Sequence, residues 1–201
     1  MIITPRLAWV HLPKTAGTST DALFAVSGLP LLWRDSQDSP VKHLPPAEHP
    51  SAAELPLIGR QPMANFRRLP HWLLSNLQHK RISMGLGVDQ EPMRRGLFYR
   101  HRDQCWLPAD WWLERFGIDE SWLLLRSEHL KSDLISALRR HEGLGLRASV
   151  RLLAVQSRNR NRYRRRLSDW FGVGDLERLY ATNPRWAALE RALYGALLKR
   201  P

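Results

Sequence analysis

Apolar and polar positions come in blocks along this chain. Leu7-Ala8-Trp9-Val10 is apolar throughout, as a strand covered on both faces requires. A polar decapeptide follows. Residues 21–26, Asp-Ala-Leu-Phe-Ala-Val, then resume an amphipathic pattern, so the beginning of the chain reads strand, loop, helix. Residues 29–56 are punctuated by six prolines and predict a long connection with a short helix over 47–55. A second strand is predicted at 55–59, Leu-Pro-Leu-Ile-Gly, with Pro56 tolerable only near its start. Residues 62–78 read as helical with an interruption near Pro70, and 81–102 are ambiguous. Residues 109–116 predict a helix ended by Gly117. Trp122-Leu123-Leu124-Leu125-Arg126 is the clearest buried strand. Residues 129–141 put Leu130, Leu134, Ile135 and Leu138 on one helical face, with Gly143 behind it. A last helix opens at Asn183-Pro184 and lines up Trp186, Leu189, Leu193 and Leu197. Strands alternating with helices predict an α/β class with a central parallel sheet.

Composition narrows the class. A chain of 201 residues with 43% hydrophobic content can build a real core, and a single domain over 1–201 is expected. Nine tryptophans should serve mostly as core or cleft walls. One cysteine, Cys105, excludes an intrachain disulfide and argues against a cysteine-based metal site. No histidines recur with an acid at ligand spacing, so no metal is expected. No run approaches the roughly 18 apolar residues of a membrane span, and no signal-peptide pattern opens the chain. A soluble, cytoplasmic protein is therefore expected. The net charge of +12 favours anionic partners: a polyanionic nucleotide, an acidic glycan or nucleic acid.

The decapeptide His11-Leu12-Pro13-Lys14-Thr15-Ala16-Gly17-Thr18-Ser19-Thr20 carries the chemistry. A helix N-terminus offers unsatisfied backbone N–H groups and partial positive charge, which suit phosphate or sulfate. Gly17 lets the backbone come close to an anion, Lys14 adds a point charge, and Thr15, Thr18, Ser19 and Thr20 bring hydroxyl donors. The nucleoside-triphosphatase pattern places lysine directly after its second glycine. Here Lys14 precedes Gly17 by three residues, so that pattern fails.

The run instead resembles the 5′-phosphosulfate loop of PAPS-dependent sulfotransferases (PAPS is 3′-phosphoadenosine 5′-phosphosulfate), in particular short bacterial members of the carbohydrate, heparan-sulfate-like type, which open H-x-P-K-T-G-G-T-[ST]. His11, Pro13, Lys14, Thr15, Gly17, Thr18 and Ser19 fit, while Ala16 replaces a glycine, a mild change if the backbone there has negative φ. The resemblance implies a three-layer, P-loop-like fold, PAPS as donor with PAP as product, and a hydroxyl acceptor on a carbohydrate, possibly an anionic glycan. It also implies that Lys14 is catalytic, and that Lys14 through Thr20 hold the donor.

Further along, Arg60-Gln61-Pro62 resembles the start of the family's 3′-phosphate motif, arginine with proline two residues on and serine eight on. The serine position falls on Arg68, which can bind phosphate itself, or a shifted helix would bring in Ser75. With 55–59 as a strand, Arg60 is expected at its carboxyl end, where open α/β sheets bind ligands. Leu125-Arg126-Ser127-Glu128 through Asp133-Leu134 is similar to the family's R-x-E-x-L-x-x-D-L segment, and 167–195 to its closing helices; 81–104 and 142–157 add little.

Six arginines crowd residues 156–166 without an acid among them. Arg158 and Arg160 are read as donor contacts, with an acceptor rim, a nucleic-acid contact and a solvated turn as other readings. For the base, Lys42-His43-Leu44-Pro45-Pro46-Ala47-Glu48 resembles the K-H-x-x-A-x-E segment of short bacterial sulfotransferases. His43 is the expected catalytic base, with Glu48 as the second candidate. The functional expectation is sulfuryl transfer from PAPS to a hydroxyl. A nucleotide-dependent phosphotransferase, a basic nucleic-acid-binding protein and a sulfotransferase homologue that binds PAP without turnover are the alternatives.

Overall fold

A computed structural model describes residues 1–156 and 163–201. In chain order, β1 (Ile2–Ile3) and β2 (Leu7–Val10) lead to α1 (Gly17–Ser27) and β3 (Trp33–Arg34). Three single turns of 3-10 helix, Pro40–His43, Pro46–Glu48 and Ala52–Glu54, precede β4 (Gln61–Phe66). Then come α2 (Leu69–Gln78), a π-helical turn at His79–Ser83, α3 (Glu91–Arg94), β5 (Leu97–Arg100), β6 (Cys105–Pro108) and α4 (Asp110–Phe116). The chain continues through β7 (Leu123–Arg126), α5 (Leu130–Glu142), α6 (Leu146–Ala154), α7 (Asp175–Thr182) and α8 (Pro184–Tyr194). These elements fall into two compact units. One takes Met1–Phe66 and the chain from Glu120 through α6; the other takes Arg67–Asp119 and the described C-terminal chain.

The first unit is α/β. Its five-stranded sheet has the order β3-β1-β2-β4-β7. β2, β4 and β7 run parallel, with Trp9 beside Met63 and Met63 beside Leu123, while β1 is antiparallel to both β2 and β3. The sheet is thus mixed around a parallel centre. Leu7, Trp9 and Met63 from the sheet pack with Phe24 of α1, Leu134 and Leu138 of α5 and Leu152 of α6 in one buried cluster.

The second strand lies later than the hydrophobic run implies. Residues 55–59 form a turn instead, with the Leu57 amide bonded to the Leu55 carbonyl, Gly59 left-handed and Ile58 fully exposed. Pairing starts where the Gln61 amide donates to the Arg6 carbonyl at 2.9 Å. Pro62 is admitted because it pairs only with Ala8 of β2; the ladder to β7 begins at Met63. The predicted 62–78 helix is accordingly half strand and half helix, with Pro70 in the first turn of α2, where a missing N–H costs nothing. The helix expected over 47–55 is two separate 3-10 turns, and the last helix stops at Tyr194, short of Leu197.

The second unit joins the β5–β6 hairpin to helices around an aromatic core. Trp72 lies 4.9 Å from Trp186 and 5.4 Å from Phe98, centroid to centroid. Asn183 is fully buried there. Its Oδ1 accepts from the Asp110 amide, and its Nδ2 donates to the carbonyls of Gly96 (2.9 Å) and Leu179 (2.8 Å). Gly96 is left-handed, and a Cβ there would sit 2.6 Å from Asn183 Nδ2, so that approach requires glycine. The Asp110 carboxylate in turn accepts from the first-turn amides of Arg185 and Trp186, capping α8 from another helix. No helix among the described residues is long and apolar enough to cross a membrane. Asn183→Ala should lower the unfolding free energy by about 2–3 kcal/mol, since it strands a buried amide and two carbonyls. Urea denaturation at neutral pH checks this.

Candidate functional site

The site is built on the carboxyl edge of the parallel strands in the first unit. β2 ends at Val10, and the chain must turn sharply to start α1 at Gly17. It does so with alternating handedness: Lys14 (φ 66°) and Ala16 (φ 72°) are left-handed while Thr15 and Gly17 are not. Such alternation points successive backbone N–H groups to one side, a concavity that binds anions. No side chain caps α1, and first-turn amides have no acceptor within their own helix. Ser19 and Thr20 are partly closed off, as both amides donate to the Ala16 carbonyl. The donor groups of the cradle are therefore those around Ala16, Gly17 and Thr18.

Ala16 departs from its expected backbone. The sequence reading allowed alanine there on the condition of negative φ, and the observed 72° lies in the region that favours glycine. Gly17 is obligatory for another reason. A Cβ at this position would lie 1.8 Å from His11 Nε2, so the imidazole of His11 occupies the space a side chain would need.

Two polar residues that the sequence reading missed hold the turn. Asn65, on β4 and fully buried, donates from Nδ2 to the Thr15 carbonyl at 2.7 Å and to Thr20 Oγ1 at 2.6 Å. Its Oδ1 accepts from Trp9 Nε1 at 3.1 Å. Ser127, directly after β7, donates to the carbonyls of Thr15 and Phe66. The signal for Asn65 was a lone polar residue in Met63-Ala64-Asn65-Phe66, a segment the wrong strand register had turned into helix. Thr15 and Thr20 themselves face inward: Thr15 Oγ1 donates to the Leu12 carbonyl and Thr20 Oγ1 to that of Ala16. Their hydroxyls are structural, which leaves Thr18 and Ser19, both half-exposed, as the side-chain donors of the loop.

His43 reaches this loop. Its ring lies 4.4 Å from that of His11, and its Nδ1 lies 3.3 Å from the His11 carbonyl. A carbonyl only accepts, so Nδ1 carries the proton and Nε2 the lone pair. Burial pushes His43 down to about 4, with Lys42 and Lys14 adding to the effect against the His11 carbonyl. Burial, then the neighbouring His43 and the nearby cations, push His11 down to about 2. Both rings are neutral at pH 7. Glu48 belongs to the Pro46–Glu48 turn.

The remaining predicted residues lie elsewhere. Arg60 precedes β4, so it stands at the amino edge of the sheet, opposite to the expected placement, and its Nε donates to the Thr4 carbonyl at 3.0 Å. The misplaced strand caused this error. Arg68 opens α2 in the second unit. Its Nη1 donates to Glu190 Oε1 (3.1 Å) and to the Ala196 carbonyl (2.9 Å), and its guanidinium lies over the Tyr194 ring. Arg158 and Arg160 lie outside the described residues. In the segment from Arg126 to Asp133 the structure adds a pairing that the sequence did not suggest: the Arg126 amide, Nε and Nη2 all donate to the Asp133 carboxylate, and these bonds outweigh burial and hold Asp133 below the usual range. No cluster of metal-binding side chains occurs among the described residues. No protein-family model, curated protein or solved structure matches this chain.

Two predictions follow from the loop. Ala16→Gly should raise stability by about 1 kcal/mol by relieving a left-handed alanine, read from the urea midpoint. His11 and His43 take up protons more readily in the unfolded chain, whose value is near 6.5, than in the folded one. Stability is thus complete above that value and lost as pH falls, by up to about 1.4 kcal/mol per pH unit for each ring. Denaturation between pH 7 and 5 should show this slope, and His11→Asn should flatten it by one proton.

Proposed function

We propose that this protein is a PAPS-dependent sulfotransferase acting on a hydroxyl acceptor, a carbohydrate hydroxyl being implied by the resemblance of its first loop. The observation that carries the reading is the backbone of that loop: an alternating-handed turn into an uncapped helix, beside a neutral histidine. The residues fit a phosphosulfate. Amides around Ala16–Thr18 would hold its oxygens, and Lys14 would offset charge developing on the leaving phosphate. His43, with its lone pair on Nε2, has the form needed to accept the proton of an acceptor hydroxyl. A P-loop-like arrangement is the finer fold reading, consistent with the parallel centre of the sheet.

A second reading, PAP binding without transfer, is favoured by the left-handed Ala16 in the loop that would hold the sulfuryl group.

Calorimetry should show PAP binding that weakens by about tenfold or more when the 3′-phosphate is removed. Tighter binding of ATP than of PAP would refute the assignment. With labelled PAPS and a panel of hydroxyl acceptors, Lys14→Ala should reduce kcat by about 100-fold or more. His43→Ala should cost about 100-fold or more in kcat and leave PAP affinity nearly intact. PAP binding with no transfer to any acceptor would select the second reading.

A further inference from the structure

α6 carries an apolar stripe on its solvent side. Leu146, Val150 and Leu153 follow one another at intervals of four and three, so they fall within about 60° around the helix axis. They are 72%, 57% and 55% exposed. The other side of the same helix serves the core: Leu152 and Ser149 are buried, and Ala148 packs on the main cluster. A surface helix ordinarily has one apolar stripe and turns it inward. α6 has two, and one faces water.

One border of the outer stripe is cationic. Arg147 and Arg151 are exposed on the same helix, and Lys131 Nζ donates to the Leu153 carbonyl at its C-terminal end. The sequence continues this bias, with eight arginines and no Asp or Glu between residues 143 and 168. Aliphatic side chains flanked by cations along one side and at one end match a surface that is apolar beneath and negative above. Bases stack on aromatic rings, and the stripe has none, which disfavours single-stranded nucleic acid.

We propose that α6 docks this protein on an anionic lipid surface, with Leu146, Val150 and Leu153 entering the acyl boundary and Arg147 and Arg151 against headgroup phosphates. Three aliphatic side chains give only weak adsorption, so binding requires both the stripe and negative lipid. The proposal is independent of the sulfotransferase reading.

Vesicle co-sedimentation of the full chain tests it. The protein should bind phosphatidylcholine vesicles containing about a third phosphatidylserine, and bind pure phosphatidylcholine at least about tenfold more weakly. Leu146→Ser/Val150→Ser/Leu153→Ser should weaken binding by about tenfold or more with an unchanged circular-dichroism spectrum. Leu146→Ser alone, at the most exposed of the three positions, provides the same test should the triple variant misfold. Arginines acting through charge alone would bind vesicles whether or not the stripe is intact, so undiminished binding by these variants overturns the proposal. Failure to bind anionic vesicles also overturns it, as does a self-association that the same substitutions abolish in the absence of lipid.

Discussion

The carbonyl of Thr15 is the point on which the first unit's functional edge depends. It accepts from Asn65 of β4 and from Ser127 beyond β7, so one atom of the loop is tied to the two other strands of the parallel centre. Asn65 is fully buried, and its amide is used on both ends: two hydrogens to Thr15 and Thr20, the oxygen to Trp9. A buried amide missing one of these partners would be costly. The strands therefore fix the turn, and through Thr20 they fix the start of α1. Left-handed backbone at Lys14 and Ala16 persists because these ties over-determine the path between them. The concavity facing solvent is the consequence of bonds made behind it.

The histidines turn that geometry into an electrostatic environment. His11 fills the volume over Gly17, and His43 leans on His11, so neither ring is well hydrated. Burial alone would neutralise both, and Lys14 and Lys42 push in the same direction. A site whose positive potential suppresses imidazole protonation is one that attracts an anion while keeping a nitrogen lone pair. Burial is the larger cause of the lone pair and the cations the cause of the attraction, and both are what transfer from an anionic donor to a hydroxyl would demand.

How much of this was legible in the chain differs from element to element. β2 and β7 were plain as continuous apolar runs: β2 is buried along its length, and β7, at the edge of the sheet, is half-buried around a buried Leu125. The loop was plain because its lysine, glycine and hydroxyls occur in a defined order between a strand and a helix. β4 was hidden by its own function. It contains Gln61 and Pro62 at an end with one neighbour, and Asn65 next to its carboxyl end, where a tie to the loop takes priority over apolar packing. The Leu55–Gly59 turn, which exposes Ile58, looked more like a strand than the strand did. That shift of a few residues carried Arg60 from one edge of the sheet to the other. The φ at Ala16 was illegible for a simpler reason: side-chain identity reports backbone preference, and here tertiary bonds override it.

The same limit explains α6. Residues 142–157 offered little as a motif, since two apolar stripes on one short helix blur into a nearly uniform pattern of leucines, valines and arginines. Only burial separates them, assigning Leu152 to the core and Leu146, Val150 and Leu153 to solvent. Hydrophobic area left in water is unfavourable at roughly 25 cal/mol per Å², and nothing in the packing of Leu152 or Ala148 requires the outer three side chains to be apolar. Serine or lysine at those positions would keep the helix and its buried face. Their cost to the isolated chain, set beside the arginines that border them, is what directs attention to a surface outside the molecule.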